Sequence, residues 1–218
     1  EAGVPVVTGD TKVVQKGAGD GVYITTTGVG VVADGEDFSG DRARAGDQII
    51  VSGSIGEHGM AIMAQRESLG FAASIVSDTA ALHGLIAAMR ASGAAIRTLR
   101  DPTRGGVATT LNEIARQSGV GMMLQESALP VQAEVAAACE FLGLDPLYVA
   151  NEGKLLAIVA PEDADKLLAA MRAHPLGRRA ALIGSVHADA QHFVQMTTAF
   201  GGRRIVDWLT GEQLPRIC

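Results

Sequence analysis

Four short stretches bring together residue types that can do chemistry. The first, "TGDTK" at Thr8–Lys12, sets a carboxylate (Asp10), a hydroxyl (Thr11) and an ammonium (Lys12) at the mouth of an extended segment. Such a set can hold a magnesium–phosphate group, with Asp10 on the metal and Lys12 on a phosphate oxygen. It equally suits a turn entering an edge strand, with Lys12 solvated. The second, "DPTRGG" at Asp101–Gly106, runs straight into a helical pattern. Gly105 and Gly106 would leave backbone N–H groups free at a helix start, where the helix dipole attracts anions. Asp101 or Thr103 would serve there as an ordinary N-cap. No GxxxxGK[ST] occurs, so a P-loop is excluded. The third, "NEGK" at Asn151–Lys154, places Glu152 at a strand entrance, where partial burial tunes a general base. As a bare tetrapeptide it also reads as a plain turn. The fourth is "GEQLPRIC", ending in Cys218. This is a frayed terminus that happens to stop at cysteine, or an arm delivering a reactive thiol. Fully extended, the eight residues 211–218 reach about 27 Å, and Pro215 stiffens them.

Other reactive side chains carry weaker signals. Cys139 falls on the apolar face of a helical pattern with Val135 and Leu142, so it is expected in the core. The five histidines form no HExxH or comparable ligand spacing. Gly28 and Gly30 lack the third glycine and following helix of a dinucleotide fingerprint.

These stretches must be positioned by the elements around them. Residues 4–32 are rich in Val, Ile, Thr and Tyr with Gly and Asp punctuation, which predicts strands. "ADGEDFSGDRARAGD" follows as a polar link and domain boundary. Beyond it, predicted strands ("QIIVSG", "AAIRTL", "GMMLQE", "KLLAIVA", "AALIGSVH", "HFVQMTTAF") alternate with predicted helices. The helices are 58–69, 78–91, 105–118, 132–143 and one opened by Pro161, with apolar residues such as Leu82, Leu85, Ile86 and Met89 recurring at helical spacing. Gly143 is the expected stop of the fourth. The fold class is therefore α/β (α+β), helices packed on a mixed sheet.

Composition narrows the function classes. Hydrophobic residues make up 47% and charged residues 19%, a globular balance rather than a disordered one. The net charge of −6 and the lack of a basic cluster argue against nucleic acid or an anionic membrane as partner. No apolar run approaches a membrane span, no signal peptide opens the chain, and two cysteines make no disulfide framework. A cytoplasmic location is expected. The abrupt strand-like start suggests a fragment of a longer protein.

Taken together, "VTGDTKVV", "GDGVYITTTGVG", "SGSIGEHGMAIM", "DPTRGGVATTLNEIA", "ANEGKLLAIV", "HPLGRRAALIGSV" and "LPRIC" resemble the HypE family of hydrogenase-maturation carbamoyl dehydratases. That family lies within the ATP-using superfamily of aminoimidazole ribonucleotide synthetase and selenophosphate synthetase. The likeness runs from Val4 to Cys218, and it implies a fragment lacking most of an N-terminal nucleotide-binding portion. It implies that residues 1–32 are closing strands of that ATP-binding domain, 33–210 a C-terminal α/β domain, and 211–218 a mobile tail. It further implies that a partner carbamoyltransferase loads Cys218, that ATP drives dehydration of the S-carbamoyl group to thiocyanate, and that an iron-carrying scaffold complex accepts the cyanide. In that chemistry Glu152 is the base and Lys12 stabilises negative charge. Asp10 and Thr11 meet magnesium or phosphate, while Asp101, Thr103, Arg104, Gly105, Gly106 and Asn151 line the nucleotide- and tail-binding cleft. The implied cofactors are ATP and magnesium, and the full-length protein is expected to be a homodimer. A sister synthetase or kinase would not need the terminal thiol, and a non-enzymatic adaptor would bind maturation partners without turning over ATP.

Overall fold

The computed structural model describes residues 2–19, 21–66 and 74–211. The chain divides into two units, residues 1–37 and 38–218, a boundary five residues beyond the one expected from the polar link at 33.

Among the described residues of 2–37, the strands expected over 4–32 are not formed. Local turns occur, such as Ala18 N to Gln15 O at 2.9 Å and Glu36 N to Ala33 O at 3.1 Å. Val6, Val13, Val29 and Val31 stand almost fully exposed. The composition is right for strands, but a strand's N–H and C=O groups need a neighbouring strand to pair with. Among the described residues none accompanies them.

The second unit carries, among its described residues, five helices and seven strands. The strands are β1 (Gln48–Val51), β2 (Ile96–Arg100), β3 (Gly121–Gln125), β4 (Leu156–Val159), β5 (Ala181–His187), β6 (Val194–Thr197) and β7 (Arg203–Ile205). They form one sheet in the order β2-β4-β1-β5-β3-β6-β7. The pairings are antiparallel except β3 with β6. The helices are α1 (Glu57–Arg66), α2 (His83–Ala91), α3 (Gly106–Ser118), α4 (Ala133–Leu142) and α5 (Ala164–Ala173).

The central strands are buried on both faces, which is why "IIV" of β1 and "LAIV" of β4 are continuously apolar rather than alternating. Ile49, Val51, Leu156 and Ile158 join Val107, Leu111 and Ile114 of α3 in one core layer. Their sequence neighbours Ile50, Ala157 and Val159 point the other way, onto Leu85 and Met89 of α2 and Leu167 and Met171 of α5. A third cluster packs Met60 and Ala64 of α1 against Val135, Ala138 and Cys139 of α4. Gly143 ends α4 in the left-handed region, φ 67°, as its position suggests.

Three local differences from the sequence-based expectations have physical causes. Helix α2 begins at His83 rather than Asp78, because Asp78 is taken up in tertiary bonds described below. A short 3-10 turn, Pro161–Asp163, precedes α5. Strand β7, unanticipated, is three residues of "RRI" on the sheet edge, too short and polar to show a period.

Candidate functional site around Asn151

The site is built where three loops meet at the ends of β1, β2 and β4. Asn151 is fully buried at their junction. Its Oδ1 accepts from the Gly56 N–H at 2.8 Å, just ahead of α1. Its Nδ2 donates to the carbonyls of Pro102 (3.0 Å) and Val149 (3.1 Å). Its own backbone N–H also reaches the Pro102 carbonyl, at 3.2 Å. An amide suits this place because it offers an acceptor and two donors from one planar group. The structure thus joins "DPTRGG" and "NEGK", about fifty residues apart in sequence, through one side chain.

Within "DPTRGG" the glycines serve close packing. Gly105 is the N-cap of α3 at φ 74°, and no side chain caps the helix. The alternative of Asp101 or Thr103 as N-cap is therefore not realised. Gly106 has φ 59°, and a Cβ there would fall 2.4 Å from the Leu147 carbonyl oxygen and 2.7 Å from that of Val149. Its N–H is already used, donating to the Thr103 carbonyl at 2.9 Å. Asp101 and Arg104 are exposed and Thr103 is half-buried, so their side chains remain at the site's surface.

Glu152 is half-buried. Its backbone N–H donates to Asp78 Oδ1 at 3.1 Å, and the other oxygen of Asp78 pairs with Lys154 Nζ at 2.9 Å. Gly153 allows this approach, since a Cβ there would lie 1.7 Å from the Asp78 carbonyl oxygen. Lys154 lays its stem across Gly53, whose added Cβ would sit 2.9 Å from Lys154 Cε.

A cavity of about 340 Å³ lies beside this pair, lined in part by Ser54, Glu57, Asp78, Gln132, Lys154 and Arg179. Glu57 is buried, with Oε1 held by Gln132 Nε2 at 2.6 Å and by the Ser54 hydroxyl. Its Oε2 has no hydrogen-bond partner among the described residues. Next to it, His58 Nδ1 meets Ser77 Oγ at 2.8 Å.

Asp10, Thr11 and Lys12 belong to the first unit and are exposed, with Asp10 Oδ1 accepting from the Thr11 N–H at 2.8 Å. Cys218 lies outside the described residues. Cys139 is buried as its helical position suggests, and burial, aided by Asp145, pushes its thiol up to about 11. No group of three or more His, Cys, Asp or Glu suited to a metal occurs among the described residues.

Residues 44–197 match the family described as AIR synthase related protein, C-terminal domain. The chain belongs to that family. As an AIR synthase related domain it is 70% identical to the carbamoyl dehydratase HypE of Azotobacter vinelandii over 218 residues, all of this chain and 64% of that protein. It therefore spans just under two thirds of that relative's length. Among solved structures, the hydrogenase maturation protein HypE in complex with ATP superposes with a TM-score of 0.78 at 50% identity, covering 83% of this chain and 55% of that one. HypE in a HypE–HypF complex gives 0.75 at 47%, covering 78% and 55%. No helix among the described residues of this AIR synthase related chain is long and apolar enough to cross a membrane.

Sequence reasoning missed Asp78, Glu57, His58 and Gln132 as parts of the site. Glu57 and His58 sit in "SGSIGEHGMAIM", one of the stretches that carry the family resemblance, but neither Asp78 nor Gln132 sits in any local pattern that marks it.

Proposed function

We infer that this AIR synthase related chain is part of an ATP-dependent carbamoyl dehydratase of hydrogenase maturation, in which Cys218 carries the group being dehydrated. The observation that carries this is the junction at Asn151. One buried amide ties "DPTRGG" to "NEGK" and leaves Glu152 half-buried beside it, with its backbone anchored by Asp78. A carboxylate held on a fixed backbone at a strand entrance suits a general base.

In the reaction, the Cys218 thiol carries an S-carbamoyl group, a role for which a thiolate is the better nucleophile than a hydroxyl. When bound, ATP supplies a phosphoryl group that converts the carbamoyl oxygen into a leaving group. Glu152 removes a proton from the carbamoyl nitrogen. The departing phosphate carries away the second nitrogen proton as the C–O bond breaks, leaving thiocyanate on sulfur. Lys12 offsets the negative charge that develops on oxygen. Arg104 at the start of α3 is an exposed cation available to a polyphosphate. Asp101, Thr103, Gly105 and Gly106 shape the wall they share with Asn151. Magnesium belongs to the same reading: Asp10, whose Oδ1 accepts from the Thr11 N–H, would hold it as a single carboxylate ligand beside the phosphates of ATP. No step is routed through that metal.

Two partners follow from the chemistry: a carbamoyltransferase to load the thiol, supported by the solved HypE–HypF complex, and an iron-carrying scaffold to take the cyanide. A homodimer of the full-length protein belongs to the same reading. The deciding experiment is Glu152→Gln in the full-length protein, loaded with carbamoyl and followed by intact mass. Loading should proceed and conversion to thiocyanate should stall. Conversion at the parent rate would remove Glu152 from the role of base.

A further inference from the structure

The loop before α2 makes bonds that neither its sequence nor the proposed chemistry requires. Asp78 reaches across 74 residues to the Glu152 N–H with one oxygen and across 76 residues to Lys154 Nζ with the other. The pair is largely withdrawn from water, with Asp78 and Lys154 side chains 2% and 12% exposed. A buried ion pair of this kind is seldom kept for stability, because desolvation offsets most of its attraction. Its geometry is more specific than its energy. The two residues it grips flank Gly153, and Gly153 has no side chain because the Asp78 carbonyl occupies that space.

The loop is itself held in place. Ser77 Oγ meets His58 Nδ1 at 2.8 Å and Thr79 Oγ1 at 2.8 Å, and it accepts from the Thr79 N–H at 3.2 Å. His58 lies on α1, which is anchored in turn by the Gly59 N–H to the Ala150 carbonyl at 3.1 Å. Asn151 fixes "NEGK" at its first residue, through Pro102 and Gly56, and Asp78 fixes it at the Glu152 N–H and at Lys154. Glu152 is the residue between the two clamps.

We propose that Asp78 is a positioning residue for Glu152: it sets the backbone from which that carboxylate works and uses Lys154 to hold its own carboxylate in register. This rests on the reading of Glu152 as the base. Asp78 touches neither substrate nor the reacting atoms in this account, so its loss should appear in the dehydration step alone.

The test uses the full-length protein with its carbamoyl-loading partner and measures single-turnover conversion by intact mass. Asp78→Ala leaves Lys154 buried without its counter-charge, so the working variant is Asp78→Ala combined with Lys154→Met, which removes both charges and keeps the lysine's stem volume. Conversion should slow about 10- to 100-fold, the scale expected when a reacting group is displaced by about 1 Å. The extent of carbamoyl loading and the KM for ATP should stay at parent values, a split that a general weakening of the domain would not give. Gly153→Ala, which forces the two loops apart while keeping both charges, should slow the same step. Adding the Asp78 and Lys154 changes to Glu152→Gln should slow that variant no further, because the residue being positioned is already disabled.

The outcomes separate the two ideas. Parent-rate conversion in Glu152→Gln defeats the assignment of the base. A slowed Glu152→Gln together with parent-rate conversion in the Asp78 and Lys154 variant overturns the positioning role. So do defects that multiply when the changes are combined.

Discussion

Asn151→Ala is the perturbation whose size follows most directly from the structure. The side chain makes three hydrogen bonds while fully buried. Truncation leaves the Gly56 N–H and the Val149 carbonyl without partners, whereas the Pro102 carbonyl keeps the backbone N–H of residue 151 at 3.2 Å. Two buried polar groups orphaned at about 1–3 kcal/mol each give about 2–6 kcal/mol of lost stability. Against a total of about 5–15 kcal/mol this is a large fraction. It corresponds to roughly 5–20 °C in melting temperature for a chain of this size. Asn151→Asp is the sharper control. It preserves the acceptor for Gly56 but turns an acceptor oxygen toward the Pro102 and Val149 carbonyls, where a donor stood. It should cost at least as much as alanine despite its matched shape. Guanidinium unfolding of the 218-residue chain, with the slope of the transition compared between variants, measures both. A loss below about 0.5 kcal/mol in Asn151→Ala with an unchanged slope would refute the claim that this amide holds the three loops together.

Gly106→Ala should destabilise by more than about 2 kcal/mol, since it combines a left-handed backbone with a Cβ 2.4 Å from a carbonyl oxygen; chemical denaturation checks this. Cys139 should resist alkylation at pH 8, where a thiol at about 11 is ionised to roughly one part in a thousand; timed labelling with iodoacetamide and peptide mass mapping would show it. Because burial raises that thiol from 9.0 to about 11, its proton is held more tightly in the folded chain. Its contribution to stability is therefore complete below pH 9 and is lost as pH rises toward about 11, a fall that Cys139→Ala should flatten. Arg100→Ala breaks a 2.8 Å pair with Glu113 that is partly exposed, and the change in stability should stay below about 1 kcal/mol.

Much of this protein is written locally. The apolar runs of β1 and β4 announce strands covered on both faces, and the helical spacing of Leu85 and Met89 announces α2, because burial on a given face imposes a period that survives in one dimension. Gly143 marks the end of α4 for an equally local reason: few other residues tolerate its φ of 67°. "DPTRGG" and "NEGK" were visible as candidate chemistry because their residue types and flanking elements sit side by side in the chain. What they do to each other was not visible. Whether Gly105 and Gly106 open a cradle or admit a neighbouring backbone depends on where Leu147 and Val149 lie, and the tertiary structure chose the second. The valine- and threonine-rich residues of 4–32 had the composition of strands, yet pairing requires a neighbour that composition does not supply. Asp78 is the clearest case. By spacing it belonged to the start of a helix, and its two bonds to Glu152 and Lys154 pulled it out of one. A contact between residues more than seventy positions apart leaves no periodic trace in the sequence. Folding alone brought that carboxylate to the backbone it holds.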